Sequence, residues 1–307
     1  MKLDEKSGKK WLYFAFLILL WGQLFFALIP SWRDGTYYSY GWLVPPAMVF
    51  FYLRRRDEVP PKGQRASSFS QTGVLVFFLV GLLLLLGLRI IEGGNVHWRL
   101  PLWAHGGVAI AMSLVAMAVV EGRAAIKTYL PIFVFVLVAI PLPSFLEQQL
   151  VSELTAAVTT TGGDIARLVG LPVEIAESAF LVAGHPVDVN DGCSGIRSFQ
   201  SSLMATLFVG ELLCLSLPSR LTLLFVGVAA SFLGNSVRVV LLIEAFAEGG
   251  REGMDHRHDS VGLAALALTY GIIVGVGFAL NRWGPDPKPA SLSEENVEPA
   301  MKATELT

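Results

Sequence analysis

The sequence predicts an all-α polytopic membrane protein, a bundle of about eight transmembrane helices with a short extracytoplasmic insertion before the sixth. Three observations predict this fold class. First, 53% of the 307 residues are hydrophobic and only 16% are charged, a composition too apolar for a soluble globular domain. Second, apolar runs recur that approach the length needed to cross a hydrocarbon core of about 30 Å. Third, Lys and Arg are shared unevenly between the loops on the two sides of those runs.

The apolar runs form a group of five and a group of three, separated by a longer polar stretch. The second and fifth runs are short or interrupted by prolines, so six or seven spans remain an alternative to eight. The first run lacks a small-residue cleavage site, so we expect a retained span rather than a signal peptide. The runs cover about residues 11–30, 38–53, 73–91, 102–120, 127–144, 196–217, 220–246 and 260–282.

The distribution of basic residues predicts the orientation. With eight spans, fifteen of the twenty-three Lys and Arg residues fall on one side, which is then the cytoplasmic side. We therefore expect a multi-pass protein of the cytoplasmic (inner) membrane with both termini in the cytoplasm. The net charge of -2 and the dispersed basic residues exclude an electrostatic surface for nucleic acid. The lipid bilayer is the expected partner of most of the surface.

Two segments lie outside the predicted spans. Residues 145–195 form the extracytoplasmic insertion: its first part has helical periodicity and is predicted to lie along the membrane interface. Its second part, "VEIAESAFLVAGHPVDV", mixes β-branched residues with a Gly-His-Pro turn and predicts a short hairpin. Residues 1–282 are predicted to form one membrane domain. Residues 283–307 are rich in Pro, Glu and Ser and predict a disordered cytoplasmic tail.

Cys193 stands just before the sixth predicted span, which should begin at about Ile196 or Arg197. The N-terminus of a helix carries partial positive charge that lowers a thiol pKa, and Arg197 would add to this effect. The alternative is that Cys193 serves only as a small apolar residue and has no chemical role. Its neighbours favour a polar setting with a flexible backbone; they are Asn190, Asp191, Gly192, Ser194 and Gly195. Cys214 should lie roughly 30 Å away, so we expect no disulfide.

Arg238 lies within the seventh predicted span, in "SFLGNSVRVVLLIEAF". A buried arginine costs at least about 2.5 kcal/mol near the centre of a span, so such residues usually face the bundle interior and a partner. Because Arg238 is nearer the outer end, an arginine that snorkels to the interface is an alternative. Asn235 is three residues earlier and shares its helical face. Two polar side chains on one face favour a site over a lone snorkelling residue.

His258 lies in "GMDHRHDSVGL", which we predict to be an outer loop just before the last span. It is the group that titrates near neutral pH, and Asp259 beside it would fix its orientation. A solvated loop histidine with no function is the alternative. The cluster of Asp255, His256, His258 and Asp259 also suggests a metal site, but its spacing is a weak ligand signature. We therefore expect no metal and no cofactor.

The topology follows from loop charges alone, yet it places Cys193, Arg238 and His258 at or near one outer face. A thiol, a guanidinium and an imidazole supply a nucleophile, an oxyanion stabiliser and a proton carrier. Acyl transfer through a thioester needs these three parts. The sequence therefore favours a cysteine-based active site between about residues 190 and 262.

At these residues the sequence resembles the exosortase and archaeosortase family. The matching motifs are "DGCSGIRS", "GNSVRVVLL" and "HDSVG", in that order on a polytopic chain. The resemblance implies a membrane cysteine protease or transpeptidase that removes a C-terminal sorting tail from exported proteins, of PEP-CTERM type in bacterial members and linked to exopolysaccharide. A cell-surface molecule or water would be the acceptor. The expected protein partners are the substrates themselves, which carry the sorting tail and are anchored in the membrane by their own helix.

The resemblance also implies a role for each residue. Cys193 corresponds to the nucleophile, Arg238 to the stabilising arginine and His258 to the proton-transferring histidine. His256 competes for the last role, but only His258 is followed by Asp259 and then by a glycine, as in the family's pattern. The supporting residues are Ser194, Gly195, Arg197, Asn235 and Asp259.

Three other functional classes remain open. A transporter or polysaccharide-assembly protein without protease activity would explain the spans and Arg238, but not a cysteine and a histidine that flank the membrane surface. An intramembrane metalloprotease would be sensitive to chelators. A noncatalytic scaffold would not need all three motifs.

Overall fold

The computed structural model describes residues 5–34, 37–59, 70–95, 98–176, 179–182, 184–188 and 195–284. Helices dominate these residues, and one small sheet follows the sixth helix. The predicted tail lies almost entirely outside the described residues. The helices are α1 (Glu5–Arg33), α2 (Val44–Arg55), α3 (Gln71–Gly94), α4 (Leu100–Glu121), α5 (Ala124–Val136), α6 (Ser144–Leu168), α7 (Ile196–Leu212) and α8 (Leu217–Trp283), and the strands are β1 (Val173–Ala176), β2 (Ala179–Val182) and β3 (His185–Asp188).

Every predicted apolar run overlaps helix in the structure, although the fifth run contains the non-helical break at 140–143, and the count of eight spans is not confirmed. Within the described residues, four helices are long and apolar enough to cross a membrane: α1 from Tyr13 onward, α3, α4 and α8. A fifth candidate is the bent pair formed by 124–139 and α6. Helices α2, α5 and α7 have only 12, 13 and 17 residues. Their length makes them short for a core that needs about 20 residues.

Helix α8 is a long antiparallel hairpin. Its 67 residues are interrupted at Gly250, whose φ of 62° and ψ of -152° are not helical. We call residues 217–249 the first arm and residues 251–283 the second arm. The arms are in contact from the base, where Gly284 lies beside Ser219, to the tip, where Arg257 donates to Glu248 over 3.0 Å. This hairpin is the main scaffold of the candidate site.

Small residues let α7 and the two arms approach closely. A Cβ at Gly277 would lie 2.6 Å from Val209 of α7, and a Cβ at Gly227 would overlap Thr206 of α7. Helices that meet within a membrane rely on such small residues because the backbones can then pack against each other. The second half of α7 is thereby fixed against α8.

The chain breaks sharply between α5 and α6 at Pro141 and Pro143, and the two helical segments meet at 76°. Side chains from other elements satisfy the carbonyl groups that the break frees. The donors are Tyr40 to Val138 over 3.0 Å, Trp32 to Ala139 over 2.9 Å, Trp103 to Pro141 over 2.9 Å and Arg99 to Leu142 over 3.1 Å. Backbone groups at membrane depth require such partners. The break between α5 and α6 is therefore stabilised by the rest of the bundle.

We expect Trp32→Phe to destabilise the protein. Trp32 is 2% exposed, and the change leaves the Ala139 carbonyl without this donor, at a cost of about 1–3 kcal/mol. Thermal unfolding in detergent should show a midpoint lower by several degrees. Trp283→Phe is the control because Trp283 is 78% exposed. Equal shifts for the two variants would contradict this role of the indole N–H.

Helix α6 and the sheet form a cap that packs on the half of the first arm of α8 nearer Gly250. The strands pair antiparallel in the order β1-β2-β3, so the insertion contains three strands where the sequence predicts a two-stranded hairpin within an all-α chain. Buried side chains join the cap to α8; they are Val158, Ala166, Phe180, Val182, Val187, Val239 and Ile243. The predicted interfacial helix corresponds to α6, and its position in a membrane stays a prediction.

Buried charges join the C-terminal ends of α2 and α7 to the N-terminal end of α8. Glu211 of α7 is 2% exposed and pairs with Arg55 of α2 and, at 2.7 Å, with Arg220 of α8. A buried carboxylate is stable only with such partners. This network fixes the base of the helices that carry the candidate site.

Candidate active site

Arg238 and His258 meet across the two arms of α8. Nη2 of Arg238 lies 2.9 Å from Nε2 of His258. Gly262 lies one turn beyond His258, and a Cβ there would be 3.4 Å from Nε of Arg238. A glycine therefore leaves room for the guanidinium between the arms. The pair joins two motifs that are 20 residues apart.

The prediction that His258 lies in a loop is wrong, because His258 and Asp259 are helical residues of the second arm. The polar sequence around Gly250 resembles a loop, but the helix continues through it on both sides of one glycine turn. The helical setting gives the imidazole a fixed direction. It also aims the ring at the first arm.

The contacts of His258 determine its tautomer. A guanidinium only donates hydrogen bonds, so Nε2 of His258 must accept from Arg238. Nδ1 of His258 then carries the proton and donates to Oδ1 of Asp259 over 3.1 Å. The described geometry therefore fits a neutral imidazole with both nitrogens engaged. Asp259 therefore lies within reach of the ring that the sequence analysis expects it to orient, and this role stays a prediction.

The structure separates His258 from His256. Successive helical residues are about 100° apart around the axis, so side chains two positions apart point in nearly opposite directions. His258 contacts Arg238, whereas His256 is exposed and does not line the cavity described below. Of the two histidines, only His258 is placed to act with Arg238.

The start of α7 packs directly on α8 at Asn235. Helix α7 begins at Ile196, as predicted, and Gly195 caps it with a φ of 81°. A Cβ at Gly195 would lie 2.7 Å from Nδ2 of Asn235, which is itself 3% exposed. Only glycine combines this left-handed conformation with such a close approach. The contact fixes the end of the segment that precedes α7.

A cavity of about 580 Å³ opens beside these residues. Residues from the start of α7 and from both arms of α8 form one wall, and the segment at the 3-10 helix Ser39–Leu43 forms the other. The lining residues are Tyr37, Ser39, Tyr40, Trp42, Leu43, Gly195, Arg197, Ser198, Ser201, Arg238, His258, Asp259, Gly262, Leu266 and Tyr270. The predicted residues Gly195, Arg197, Arg238, His258 and Asp259 therefore share one space.

The position of Arg238 along α8 bears on the snorkelling alternative. Arg238 is about 21 residues from the start of the first arm at Leu217, or roughly 32 Å along the helix. This length equals the thickness of a hydrocarbon core, so in a span that starts at Leu217 the residue would lie near the far edge. Arg238 is partly buried and bonded to His258. The guanidinium is thus part of a protein contact, whatever the depth of the residue in a membrane.

Of the two cysteines, the structure describes Cys214 but not Cys193. Cys193 and Ser194 lie outside the described residues, together with Asn190, Asp191 and Gly192. Cys214 is a free thiol in the turn between α7 and α8, at the opposite end of α7 from Gly195. Within the described part of the chain, no three His, Cys, Asp or Glu side chains form a group that would hold a metal ion.

Sequence reasoning missed the aromatic wall of the cavity. Tyr37, Tyr40 and Trp42 come from a segment more than 150 residues before the other motifs. Their only sequence signal is a cluster of aromatic residues beside a predicted span, which is typical of any membrane interface. The tertiary fold alone brings this segment to Arg238.

A sequence model of the family described as transmembrane exosortase (Exosortase_EpsH) matches residues 32–275. The chain belongs to the transmembrane exosortase family. All the residues that line the exosortase cavity, from Tyr37 to Tyr270, lie within the matched range. No curated protein and no solved structure matched the chain.

Family membership and the apolar helices establish an exosortase-family membrane protein. Exosortases act on protein substrates with sorting signals in a membrane environment. The residues of the cavity supply the remaining argument about the chemistry.

Proposed function

We propose that this exosortase-family protein is a membrane cysteine protease or transpeptidase. Its substrates are exported proteins with a C-terminal sorting signal of PEP-CTERM type, and its reaction proceeds through a thioester. The observation that carries the proposal is the Arg238–His258 contact at 2.9 Å in a cavity that also reaches Gly195. Gly195 is two residues after the only cysteine of the motif "DGCSGIRS".

Covalent geometry supports Cys193 as the nucleophile. Consecutive Cα atoms are 3.8 Å apart, so two residues span at most about 7 Å. The Cα atom of Cys193 is therefore within about 7 Å of that of Gly195, a residue of the cavity wall. The other cysteine, Cys214, does not line this cavity. A thiolate is the reactive form, and the start of α7 favours it electrostatically.

The proposed reaction has two stages. The Cys193 sulfur attacks the scissile carbonyl, and the Arg238 guanidinium stabilises the oxyanion together with backbone N–H groups near Ser194 and Gly195. Nε2 of His258 takes the thiol proton as the sulfur attacks, and the C–N bond breaks as the same proton passes to the leaving amine. Water or an amine of a surface acceptor then attacks the thioester and regenerates the thiol.

The charge distribution supports a location for this chemistry. With the eight spans that the sequence predicts, basic residues concentrate on the side that holds both termini, and the start of α7, Arg238 and His258 fall on the opposite side. The active site would therefore face the extracytoplasmic side of the cytoplasmic membrane. A substrate held in the bilayer by its own helix would present its cleavage motif there.

Replacement of the two cysteines tests the proposal. Cys193→Ala should abolish processing of a tagged protein with a candidate sorting tail, followed by immunoblot in cells and by cleavage assay in detergent. Cys214→Ala is the matched control and should process the tail as the wild type does. Full processing by Cys193→Ala would refute the cysteine mechanism.

We expect Asp259→Asn to have a small effect. The carboxylate is fully exposed although it contacts Nδ1 of His258, and exposed pairs contribute little because water screens them. Processing rates in the cleavage assay should therefore fall by about two- to fivefold. A loss of a hundredfold or more would contradict an orienting role and would place Asp259 among the groups that transfer protons.

A further inference from the structure

A second space opens beside the candidate active site, as a groove of about 470 Å³ between the two arms of α8. Of the described residues that line it, only Arg238 and Ser260 are polar, and both lie in the half of the groove nearer Gly250. The rims carry exposed leucines, among them Leu233 of the first arm and Leu268 of the second. The groove is therefore an apolar surface with a polar end.

The shape of the groove fits one α-helix. Its lining on the first arm extends from Ala230 to Leu241, a length of about three helical turns. Ala230, Gly234 and Arg238 follow each other at intervals of four residues, so they form one row along the arm. The two arms nearly touch at the floor, where a Cβ at Gly234 would lie 3.2 Å from Oγ1 of Thr269. Small residues in such a row let the backbone of another helix approach closely.

Arg238 connects the groove with the candidate active site. Its side chain lines both the groove and the polar cavity of about 580 Å³. On the second arm, Ala265 lines the groove, whereas Gly262 and Leu266 line the cavity. The two spaces thus lie on adjacent faces of this arm and meet at Arg238. A chain that leaves the polar end of the groove would enter the cavity beside the Arg238–His258 pair.

We propose that the groove between the arms of α8 holds the transmembrane helix of the sorting-tail substrate. This inference rests on the proposed function, in which the helix of the substrate follows the bond that is cleaved. A helix seated in the groove would begin beside Arg238 and Ser260, and the segment before it would reach the cavity. The contact between Arg238 and His258 can persist while the helix binds.

Continuity with the candidate site favours a substrate helix over other apolar occupants. A lipid chain or a second copy of this protein would also cover apolar surface, but neither needs a groove that leads to Arg238. Helices associate within a membrane through close packing and through partners for polar groups, because lipid tails are as apolar as the helices. The small residues and the polar end of the groove supply these two features.

Photo-crosslinking tests the docking of this helix. p-Benzoylphenylalanine replaces Leu233 or Leu268 on the rims, or Leu263 as the matched control. Leu263 is on the same arm as Leu268 and is similarly exposed, at 69% against 63%, but it does not line the groove. The probe is a sorting-tail protein with a tag after its transmembrane helix, produced together with the protein in a Cys193→Ala background. We expect adducts from each rim position to exceed those from Leu263 by about fivefold or more, the selectivity of one interhelical contact.

Filling the groove gives a second readout. Ala264→Leu adds volume to the groove wall, and Ala267→Leu adds the same side chain about one turn away, at an exposed position outside the groove. We expect Ala264→Leu to lower the adduct yield from Leu233 by about fivefold or more, because excess volume at a packed contact is costly on this scale. Ala267→Leu should leave the yield unchanged.

Several results would overturn the proposal. Equal yields from Leu233, Leu268 and Leu263 would mean that the substrate has no preferred face on the hairpin, and a yield unchanged by Ala264→Leu would place its helix elsewhere. Adducts with a second copy in place of the substrate would make the groove an interface between copies, and adducts with lipid alone would exclude a protein occupant. Because the tag stays with the helix and crosslinking needs no cleavage, failure of docking is distinguishable from failure of the proposed function, which Cys193→Ala tests in the processing assay.

Discussion

His258→Gln should reduce processing of a sorting-tail substrate by about 10²–10⁴-fold, the range that a positioned general acid–base group contributes. Glutamine presents an amide oxygen that can still accept a hydrogen bond from Arg238, whose Nη2 lies 2.9 Å from Nε2 of the histidine. It cannot carry a proton from the thiol to the leaving amine. Packing of the two arms of α8 should therefore survive while the reaction is lost. The measurement is the single-turnover cleavage rate in detergent.

His256→Gln is the matched control for this variant. Both histidines are in the second arm, two residues apart, but His256 is exposed and does not line the cavity. We expect His256→Gln to cleave at the wild-type rate. Equal losses in the two variants, or a loss only in His256→Gln, would contradict the assignment of the proton carrier.

Gly195→Ala should reduce processing by about a hundredfold or more, because a misplacement of about 1 Å at a reacting group has effects of this size. The alanine Cβ would lie 2.7 Å from Nδ2 of Asn235 and would stand at a φ of 81°, which costs an L-residue roughly 1–2 kcal/mol. The start of α7 must then move away from α8. Cys193, two residues earlier, would move with it.

Gly170→Ala separates this effect from backbone strain. Gly170 has a φ of 84°, and an added Cβ meets no atom within 4 Å. The variant should lose roughly 1–2 kcal/mol of stability, seen as a lower unfolding temperature, and should retain processing. A loss of processing in Gly170→Ala as large as in Gly195→Ala would show that strain, and not contact with Asn235, is responsible.

Much of the helical framework is predictable because hydrophobicity acts locally. Residues 73–91 and 102–120 were predicted as spans and lie within α3 and α4. The start of α7 at Ile196 agrees with the start of the predicted apolar run at about residue 196. The shared face of Asn235 and Arg238 followed from helical periodicity.

The parts that sequence reasoning missed depend on tertiary contacts. The polar segment from Glu248 to Ser260 has the composition of a loop, yet it is helical on both sides of Gly250. The arms are stabilised there by each other and by the cap formed by α6 and the sheet. Composition carries no information about such partners, so His258 was placed in a loop.

The aromatic wall of the cavity and the break at Pro141 show the same limit. Trp32, Tyr40, Trp103 and Arg99 satisfy the carbonyl groups of 138–142 from three other parts of the chain. A proline pair predicts that a helix ends, but it does not predict which side chains compensate for the ending. Those partners also place Tyr40 in the wall of the candidate site.

The central claim is that Cys193 becomes acylated by the substrate. Mass spectrometry of the purified protein, mixed with a sorting-tail substrate and quenched in acid to preserve thioesters, tests it most directly. The account predicts a mass increase on the Cys193 peptide equal to the substrate's N-terminal cleavage fragment less one water, removed by hydroxylamine and absent in His258→Gln. Cleavage of the substrate with no adduct on Cys193 at any quench time, or an adduct on Cys214 instead, would contradict it.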